Sequence, residues 1–509
     1  VIIAPGAVLG EIDAMSDVRR AFVWASLARY AVMAINLAAM LVIARLLAPA
    51  EFGVVVLGSS VFGIAEAVRA LGGGAYLIQQ KDLTPSRIHT TFTVSLIATL
   101  VVMAAVGALV GVLSRGLGAP GLPRYLCVVA LGYLAGPFIY PISALLSRQM
   151  AFGTLARISV ATASVSAVIA VSLAARGFSF MSFAWANAIS ILVSLALSIY
   201  YWRDMSIFRP SLQAWRSVVG FGIYDSAAGI LGQVGESLPY LIVGRFLSPN
   251  AVGLCQRGVL LCLVPERVVL AGVAAVALPA FSRQARDGMA LKGDYLRAMT
   301  LITAAQWPLL IFLMGFAPQI VAIVLGSQWT GVVPLVQIFS AALLFSFPVT
   351  LQYPVLVAVG AVRFVPVATI LQVSVSVVVL FVSVQSGLHA AALGMLLVVP
   401  FNGAVSLLIV RHYLGFSWRE LMGALRESGV CAAMTGLGPL ASFLLTPSPS
   451  NMSIAASLCG AMLSGVGCVL ALWLTRHPLL TEFLRAAQAA RGSAVGLNLA
   501  RIRVGRLRR

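Results

Sequence analysis

Charged side chains are scarce: Asp, Glu, Lys and Arg together make up 10% of the 509 residues, against about a quarter in an ordinary soluble domain. A chain so poor in charge cannot clothe an aqueous surface, which excludes a soluble globular protein. Lysine is nearly missing. Lys81 and Lys292 are the only two, so the net charge of +19 is carried by arginine. Histidine is sparse and scattered, at His89, His389, His412 and His477, and there is no H-E-x-x-H, no G-x-x-x-x-G-K-[ST] and no nucleophile elbow. Zinc-peptidase, Walker-type ATPase and hydrolase chemistry therefore lack their residues, and no cofactor is expected. The six cysteines, Cys127, Cys255, Cys262, Cys431, Cys459 and Cys468, lie in apolar stretches without metal-ligand spacing. They predict small core residues and neither a disulfide framework nor a metal site.

What the chain has in abundance is apolar sequence: 61% of its residues, with a mean hydropathy of +1.01. Apolar runs recur from Val23 to Trp473, each close to the roughly 20 residues that cross a hydrocarbon core of about 30 Å as a helix. They are unbroken rather than alternating, which excludes barrel strands. The reading is an all-α polytopic membrane protein of about 14 spans, near 22–46, 54–75, 91–113, 125–146, 155–175, 180–202, 218–243, 252–280, 298–325, 333–359, 363–385, 388–411, 427–446 and 452–475. No cleavable signal pattern opens the chain, so targeting is expected to fall to the first span.

Arginine placement sets the orientation. With the N-terminus inside, loops on that side collect Arg19, Arg20, Lys81, Arg87, Arg148, Arg157, Arg203, Arg209, Arg216, Arg283, Arg286, Lys292, Arg297, Arg363, Arg411, Arg419 and Arg426, whereas the far side keeps Arg45, Arg115, Arg124, Arg176 and Arg245. The positive-inside rule then predicts an N-in, C-in topology. Basic charge lying in loops beside apolar spans is accounted for by orientation, so nucleic acid is not an expected partner.

A shift of 200 residues without gaps superposes Leu41, Arg45, Leu47, Pro49, Gly53, Gly58, Glu66, Val68, Gly72 and Ala75 on Leu241, Arg245, Leu247, Pro249, Gly253, Gly258, Glu266, Val268, Gly272 and Ala275. The offset equals six spans, which predicts two pseudo-symmetric six-helix lobes of like orientation. The expected organisation is a cytoplasmic segment over 1–21, an N-terminal lobe over 22–202, an amphipathic linker over 203–217, a C-terminal lobe over 218–411, two additional spans within 427–475 and a basic cytoplasmic tail over 476–509.

Two stretches in the first half, Ala44-Arg45-Leu46-Leu47-Ala48-Pro49-Ala50-Glu51-Phe52-Gly53 and Leu77-Ile78-Gln79-Gln80-Lys81-Asp82-Leu83-Thr84, resemble the opening of Wzx-type polysaccharide flippases. Gly244-Arg245-Phe246-Leu247-Ser248-Pro249 and Leu325-Gly326-Ser327-Gln328-Trp329 resemble their second half. These proteins are a branch of the multidrug/oligosaccharidyl-lipid/polysaccharide exporter superfamily. The resemblance covers roughly the first 410 residues, and the last two spans fit the usual extra pair. It implies a flippase of the bacterial inner membrane that moves an undecaprenyl-pyrophosphate-linked oligosaccharide to the periplasmic leaflet for O-antigen, capsule or exopolysaccharide assembly. It also implies alternating access through two lobes around a cationic cavity. No fixed catalytic motif is transferred with it.

Ionisable residues inside the spans point to a wet interior, because a charge at a helix centre costs about 2.5–3.5 kcal/mol on insertion scales. Arg29 and Asn36 share a face of the first span; Glu66 and Arg69 are one turn apart in the second. The seventh span carries Asp225, Gln233 and Glu236 on or beside one face, below Pro239, which is expected to break the helix; the eighth carries Gln256, Arg257, Glu266 and Arg267 around Pro265. Arg29, Asn36, Arg69, Gln233, Arg257 and Arg267 are the expected substrate-binding residues, the arginines as counter-charges for a pyrophosphate. Glu66, Asp225, Glu236 and Glu266 are the expected gating or proton- or sodium-coupling residues. The bland reading makes Glu66 with Arg69, and Glu266 with Arg267, self-neutralising structural pairs, and lets Arg29 snorkel to the interface.

Kinks are expected at Pro137, Pro141, Pro348 and Pro354. Trp24, Trp202, Trp215, Trp329 and Trp418 lie near span ends and read as interfacial anchors, leaving Trp185 and Trp307 deep enough to meet a glycan. The linker 204–217 reads as interfacial, and the arginine-rich tail as a contact for anionic lipids or for a polymerase or synthesis complex. Two other functions remain open: a cation-coupled small-molecule exporter of the same superfamily, and a membrane glycosyltransferase or polymerase. Short outer loops oppose the second.

Overall fold

The computed structural model describes the backbone of residues 5–69, 74–80, 82–287, 289–445 and 454–479; side chains at 5–23, 74–75, 224–228, 264–280, 445 and 454 fall outside the described residues. In chain order the elements are α1 (Pro5–Leu46), α2 (Pro49–Arg69), the short α3 (Gly74–Gln79), α4 (Pro85–Gly116), α5 (Leu122–Tyr133), α6 (Gly136–Arg148), α7 (Phe152–Ala175), α8 (Met181–Tyr201) and α9 (Trp215–Phe246). There follow α10 (Pro249–Arg286), α11 (Lys292–Gly315), α12 (Ala317–Val324), α13 (Val333–Leu343), α14 (Phe347–Ala358), α15 (Phe364–Val384), α16 (Leu388–Leu414), α17 (Trp418–Leu445) and α18 (Ile454–Leu474). No strand occurs among the described residues. In hydrocarbon, backbone N–H and C=O groups must be satisfied within the segment, and helices do this.

Among the described residues nine helices are long and apolar enough to cross a membrane: α1, α2, α4, α7, α8, α11, α15, α16 and α18. The pairs α5–α6 and α13–α14, bent by 45° and 44°, bring the number to eleven if each is one span. The long helices α9, α10 and α17 overlie the expected spans at 218–243, 252–280 and 427–446. Both bends have one cause. Pro137 and Pro348 each lie just past a break, and a proline ring displaces the carbonyl four residues back, here Tyr133 and Leu344. Pro141 and Pro354, by contrast, lie inside α6 and α14 without a break. Pro239 does not break α9, which runs through it from Trp215 to Phe246. One lost hydrogen bond in the last third of a 32-residue helix leaves the turns on either side intact.

Two compact units divide the chain: Val1–Gln256 with Val324–Trp329, and Arg257–Ile323 with Thr330–Arg509. In the first, the residues that recur at the 200-residue offset meet one another. A methyl group built on Gly53 would overlap the carbonyl of Pro249, and one built on Gly253 would overlap that of Pro49. The first turns of α2 and α10 thus approach backbone to backbone, each needing glycine for the same reason. Gly58 likewise lies against the Tyr125 ring of α5.

The other shared motifs also prove to be joinery. Leu47, Ala44 and their neighbours end α1 with carbonyls that have no helical partner. Gln328 Nε2 donates to Ala44 O at 2.6 Å and Leu47 O at 2.9 Å, and Trp329 Nε1 donates to Ala44 O at 2.7 Å. Trp329 is fully buried (0% exposed) and packs edge-on against Phe52. It is not the interfacial anchor its position near a span end predicted, because the α1 terminus offers its indole N–H a better partner than lipid headgroups. Glu51 accepts from Ala48 N at 2.9 Å and from Ser179 Oγ at 2.5 Å, closing the start of α2. Arg148 donates to Leu77 O at 3.0 Å and also to Gln80 O, and Arg87 donates to Asp82 O. The last residue of α6 and an arginine in the first turn of α4 thereby brace the turn between α3 and α4.

The linker is packed onto this unit. Asp204 accepts from Ser206 N at 3.0 Å to start a short 3-10 turn, Met205–Phe208, and the Phe208 ring meets those of Phe92 and Phe138 at steep angles, each with centroids 5.3 Å apart. Ser211 N donates to Thr93 Oγ1 and Ala214 N to Thr90 Oγ1. Leu212 and Trp215 stay exposed beside Arg209 and Arg216, so one side of the linker is packed and the other carries apolar and basic side chains together.

In the second unit, Gly258 lies against Phe339 of α13, as Gly58 does against Tyr125 in the first. A cluster around Tyr295, Met299, Ile302, Phe347, Leu351 and Phe416 forms its core. Thr303 and Ser428 join α11 to α17 at 2.9 Å. Ser417 and Glu420 cap α17 reciprocally: Ser417 N donates to Glu420 Oε2 at 2.7 Å, and Glu420 N to Ser417 Oγ at 3.2 Å. Lys292 Nζ pairs with Glu420 Oε1 at 2.5 Å. The Lys292 ammonium and the Ser417 donors pull the Glu420 carboxyl down to about 2. A lowered carboxylate pKa stabilises the fold above its unfolded value of about 4.3 and stops doing so as pH falls through the folded value. Glu420→Gln should therefore lower the unfolding temperature at pH 7 by a small amount, since the pair is exposed. The difference should vanish as the pH is taken toward 2, measured on purified protein in detergent.

Candidate functional site

Glu66 and Arg69 lie one helical turn apart at the end of α2, and the bend between α5 and α6 supplies what surrounds them. Tyr133 ends α5 and Tyr140 lies on α6, so the break before Pro137 turns two phenol rings toward one guanidinium. The Arg69 carbon lies 3.9 Å from the Tyr140 ring centroid and 5.2 Å from that of Tyr133. Gly136, at the bend, leaves room for the guanidinium: a methyl there would lie 2.9 Å from Nη1. Arg69 Nε donates to Glu66 Oε2 at 3.3 Å, Nη2 donates to Oε1, and the Tyr140 hydroxyl donates to the same Oε1 at 2.5 Å. Phe62 packs on Tyr133, with ring centroids 5.3 Å apart.

The exposures of the two charges differ sharply. Arg69 is 4% exposed and Glu66 43%. A guanidinium buried without a partner would cost several kcal/mol, and here a bidentate carboxylate and two aromatic faces offset that cost. The cluster is eight residues, about 12 Å of helix, from Arg148, which holds the α3–α4 turn.

Of the other expected site residues, Gln233 of α9 lies against α2, where a methyl on Gly63 would come within 2.7 Å of its Nε2, and it donates to Ser237 Oγ at 3.0 Å. Glu236, one turn on, is exposed. Arg29 and Asn36 are both exposed on α1. Arg257 of α10, in the second unit, is 3% exposed. The side chains of Asp225, Glu266 and Arg267 lie outside the described residues. The structure therefore brings together Glu66 with Arg69, and Gln233 with the same helix.

Sequence reasoning overlooked Tyr133 and Tyr140. The signal was available, since a tyrosine inside a span needs a partner for its hydroxyl and two of them flank Gly136-Pro137. It also overlooked the amides of the second unit. Ser406 Oγ donates to Gln352 Oε1 at 2.6 Å, and Gln372 Nε2 donates to Asn402 O and Ser406 Oγ at 3.2 and 3.1 Å. Trp307, deep enough in its span to meet a glycan, braces the second bend: Nε1 donates to Leu344 O at 2.8 Å and the ring meets Phe347 edge-on. Trp185 is 38% exposed.

A family model described as polysaccharide biosynthesis protein matches residues 42–334. Among curated proteins, the chain is 22% identical over 322 residues to the lipopolysaccharide biosynthesis protein WzxC of Escherichia coli (strain K12), covering 62% of this chain and 64% of WzxC. It is 25% identical over 340 residues to the succinoglycan biosynthesis transport protein ExoT of Rhizobium meliloti (strain 1021), covering 66% and 68%. The chain thus spans under two thirds of the length of WzxC. Its fold is similar to that of the lipid II flippase MurJ in an inward closed conformation, with a TM-score of 0.68 at 10% identity over 88% of this chain and 99% of MurJ.

Proposed function

The chain belongs to the polysaccharide biosynthesis protein family, and from that membership we propose that it is a flippase for an undecaprenyl-pyrophosphate-linked oligosaccharide, carrying it from the cytoplasmic to the periplasmic leaflet of a bacterial inner membrane. The observation that carries the proposal is the family match over residues 42–334, which takes in both copies of the repeated Pro-x-x-x-Gly helix start. The likeness in fold to a flippase supports it, as does the choice of arginine within the spans, whose planar fork matches phosphate oxygens. Fourteen spans, an N-in and C-in topology and two lobes of six helices belong to the same proposal.

In this reading Arg29, Asn36, Arg69, Gln233, Arg257 and Arg267 receive the diphosphate and first sugars, and Glu66, Asp225, Glu236 and Glu266 gate the path or take up a proton or sodium ion. The strongest individual cases are Arg257, buried within α10, and Glu236, an exposed carboxylate in an apolar helix. The basic tail and the linker surface would meet anionic lipid, and a polymerase would take the delivered product.

Arg29→Ala and Arg257→Ala should each reduce surface polysaccharide to a tenth or less while the protein stays in the membrane fraction, and Asp225→Asn should shift the pH or sodium dependence of export. Measuring surface polysaccharide and membrane abundance in the same strains checks this; unchanged polysaccharide in all three removes the site assignment. If the variants instead alter resistance to cationic drugs, the small-molecule exporter is the better reading.

A further inference from the structure

The Glu66 carboxylate occupies the fork by which Arg69 would hold a phosphate. Oε2 takes the Nε–H and Oε1 takes the Nη2–H, the same two-point geometry that guanidinium groups offer phosphate oxygens. The third edge is closed as well, with Nη1 packed against Gly136. Tyr140 fixes the arrangement from both sides, its hydroxyl on Glu66 Oε1 at 2.5 Å and its ring 3.9 Å from the guanidinium carbon. Because Glu66 is half exposed and Arg69 is buried behind it, an anion arriving from the open side meets the carboxylate before it meets the arginine.

We infer that Glu66 is a built-in competitor for the substrate diphosphate, with Tyr140 as the positioning residue that holds it on Arg69. The inference rests on the lipid-diphosphate reading above and adds a rule of selection to it. A ligand gains Arg69 only by displacing a carboxylate that already makes two charge-assisted contacts. A singly charged group, such as a bulk phospholipid headgroup, offers no more charge than the carboxylate it would replace. A diphosphate offers more, and the displaced carboxylate can turn toward the open side. Specificity is a difference of affinities, and an internal opponent supplies the repulsive part of that difference.

The test uses the full chain in nanodiscs of phosphatidylcholine, which carries no net charge, titrated with inorganic pyrophosphate and, separately, with undecaprenyl pyrophosphate. Tyr140→Phe removes the hydroxyl that holds Glu66 and keeps the ion pair and the ring. It should tighten diphosphate binding about tenfold, the equivalent of about 1.4 kcal/mol. Glu66→Gln should tighten it further and make binding sensitive to added phosphatidylglycerol, whereas the unsubstituted protein is indifferent to that lipid. Glu66→Gln leaves a buried guanidinium without its counter-charge, so Tyr140→Phe, whose fold is not threatened, decides. Tightening for both titrants supports the inference with the diphosphate alone as the recognised group; tightening for the lipid only supports it with the carrier as the source. Unchanged or weaker binding in Tyr140→Phe, with binding present in the unsubstituted protein, overturns the inference and leaves the flippase proposal standing. No diphosphate binding by either protein overturns both.

Discussion

Gly53→Ala is expected to cost the protein more stability than any other single methyl group added to its described glycines. The added carbon would occupy the place of the Pro249 carbonyl, and neither helix can yield locally, because the obstacle is backbone and not the tip of a flexible side chain. Overpacking of this kind costs about 1–3 kcal/mol, occasionally more, and the first turns of α2 and α10 put Gly53 at the upper end. Gly253→Ala should behave alike, since its methyl would strike Pro49 in the reciprocal contact. The double substitution should cost less than the sum, because both methyls force apart one and the same crossing. Gly107→Ala is the control. Nothing lies within 4 Å of its position in α4, and alanine in a helix interior gains about 0.8–1.0 kcal/mol over glycine. Thermal unfolding of the purified variants in detergent should therefore show the same chemical change with opposite signs.

Trp329→Ala is the second large effect. The indole is fully buried, and its removal takes away the ring packed on Phe52 and one of the two donors to Ala44 O. Truncating a buried tryptophan costs about 3–5 kcal/mol, and the Ala44 carbonyl at the end of α1 is left with its bond from Gln328 alone. Trp329→Phe should recover most of the packing and none of the hydrogen bond, so the difference between the two variants reads the packing, and the loss that Trp329→Phe keeps against the unsubstituted protein reads the hydrogen bond, about 1 kcal/mol. Limited proteolysis near the end of α1, alongside unfolding temperature, would read both.

The helical architecture was legible because a span leaves a long signal. Twenty apolar residues in a row admit few readings, and the expected spans at 22–46, 91–113, 155–175, 180–202, 363–385 and 388–411 all fall on helices able to cross. The bends at Pro137 and Pro348 followed from the same local rule. Contacts between helices left no such signal. That Trp329 caps α1 depends on a partner 285 residues away, and position near a span end favoured the wrong environment. The repeat was visible as identity at a fixed offset, but its meaning, that Pro49 and Gly253 touch while Pro249 and Gly53 touch, required coordinates. The Glu66–Arg69 pair was found from i,i+3 spacing alone. Tyr140 was not, because it reaches Glu66 only through the bend of another helix, 74 residues on.

The clasp on α1 bears on how the chain is made. Gln328 and Trp329 are synthesised 281 or more residues after the carbonyls they satisfy, and a chain leaves the ribosome at about 5–20 residues per second. For many seconds the inserted first helices hold an end that only later sequence can close. Closure of that end therefore waits on a short segment from beyond the midpoint of the chain. Splitting the gene between the two halves would ask a diffusing fragment to perform that closure.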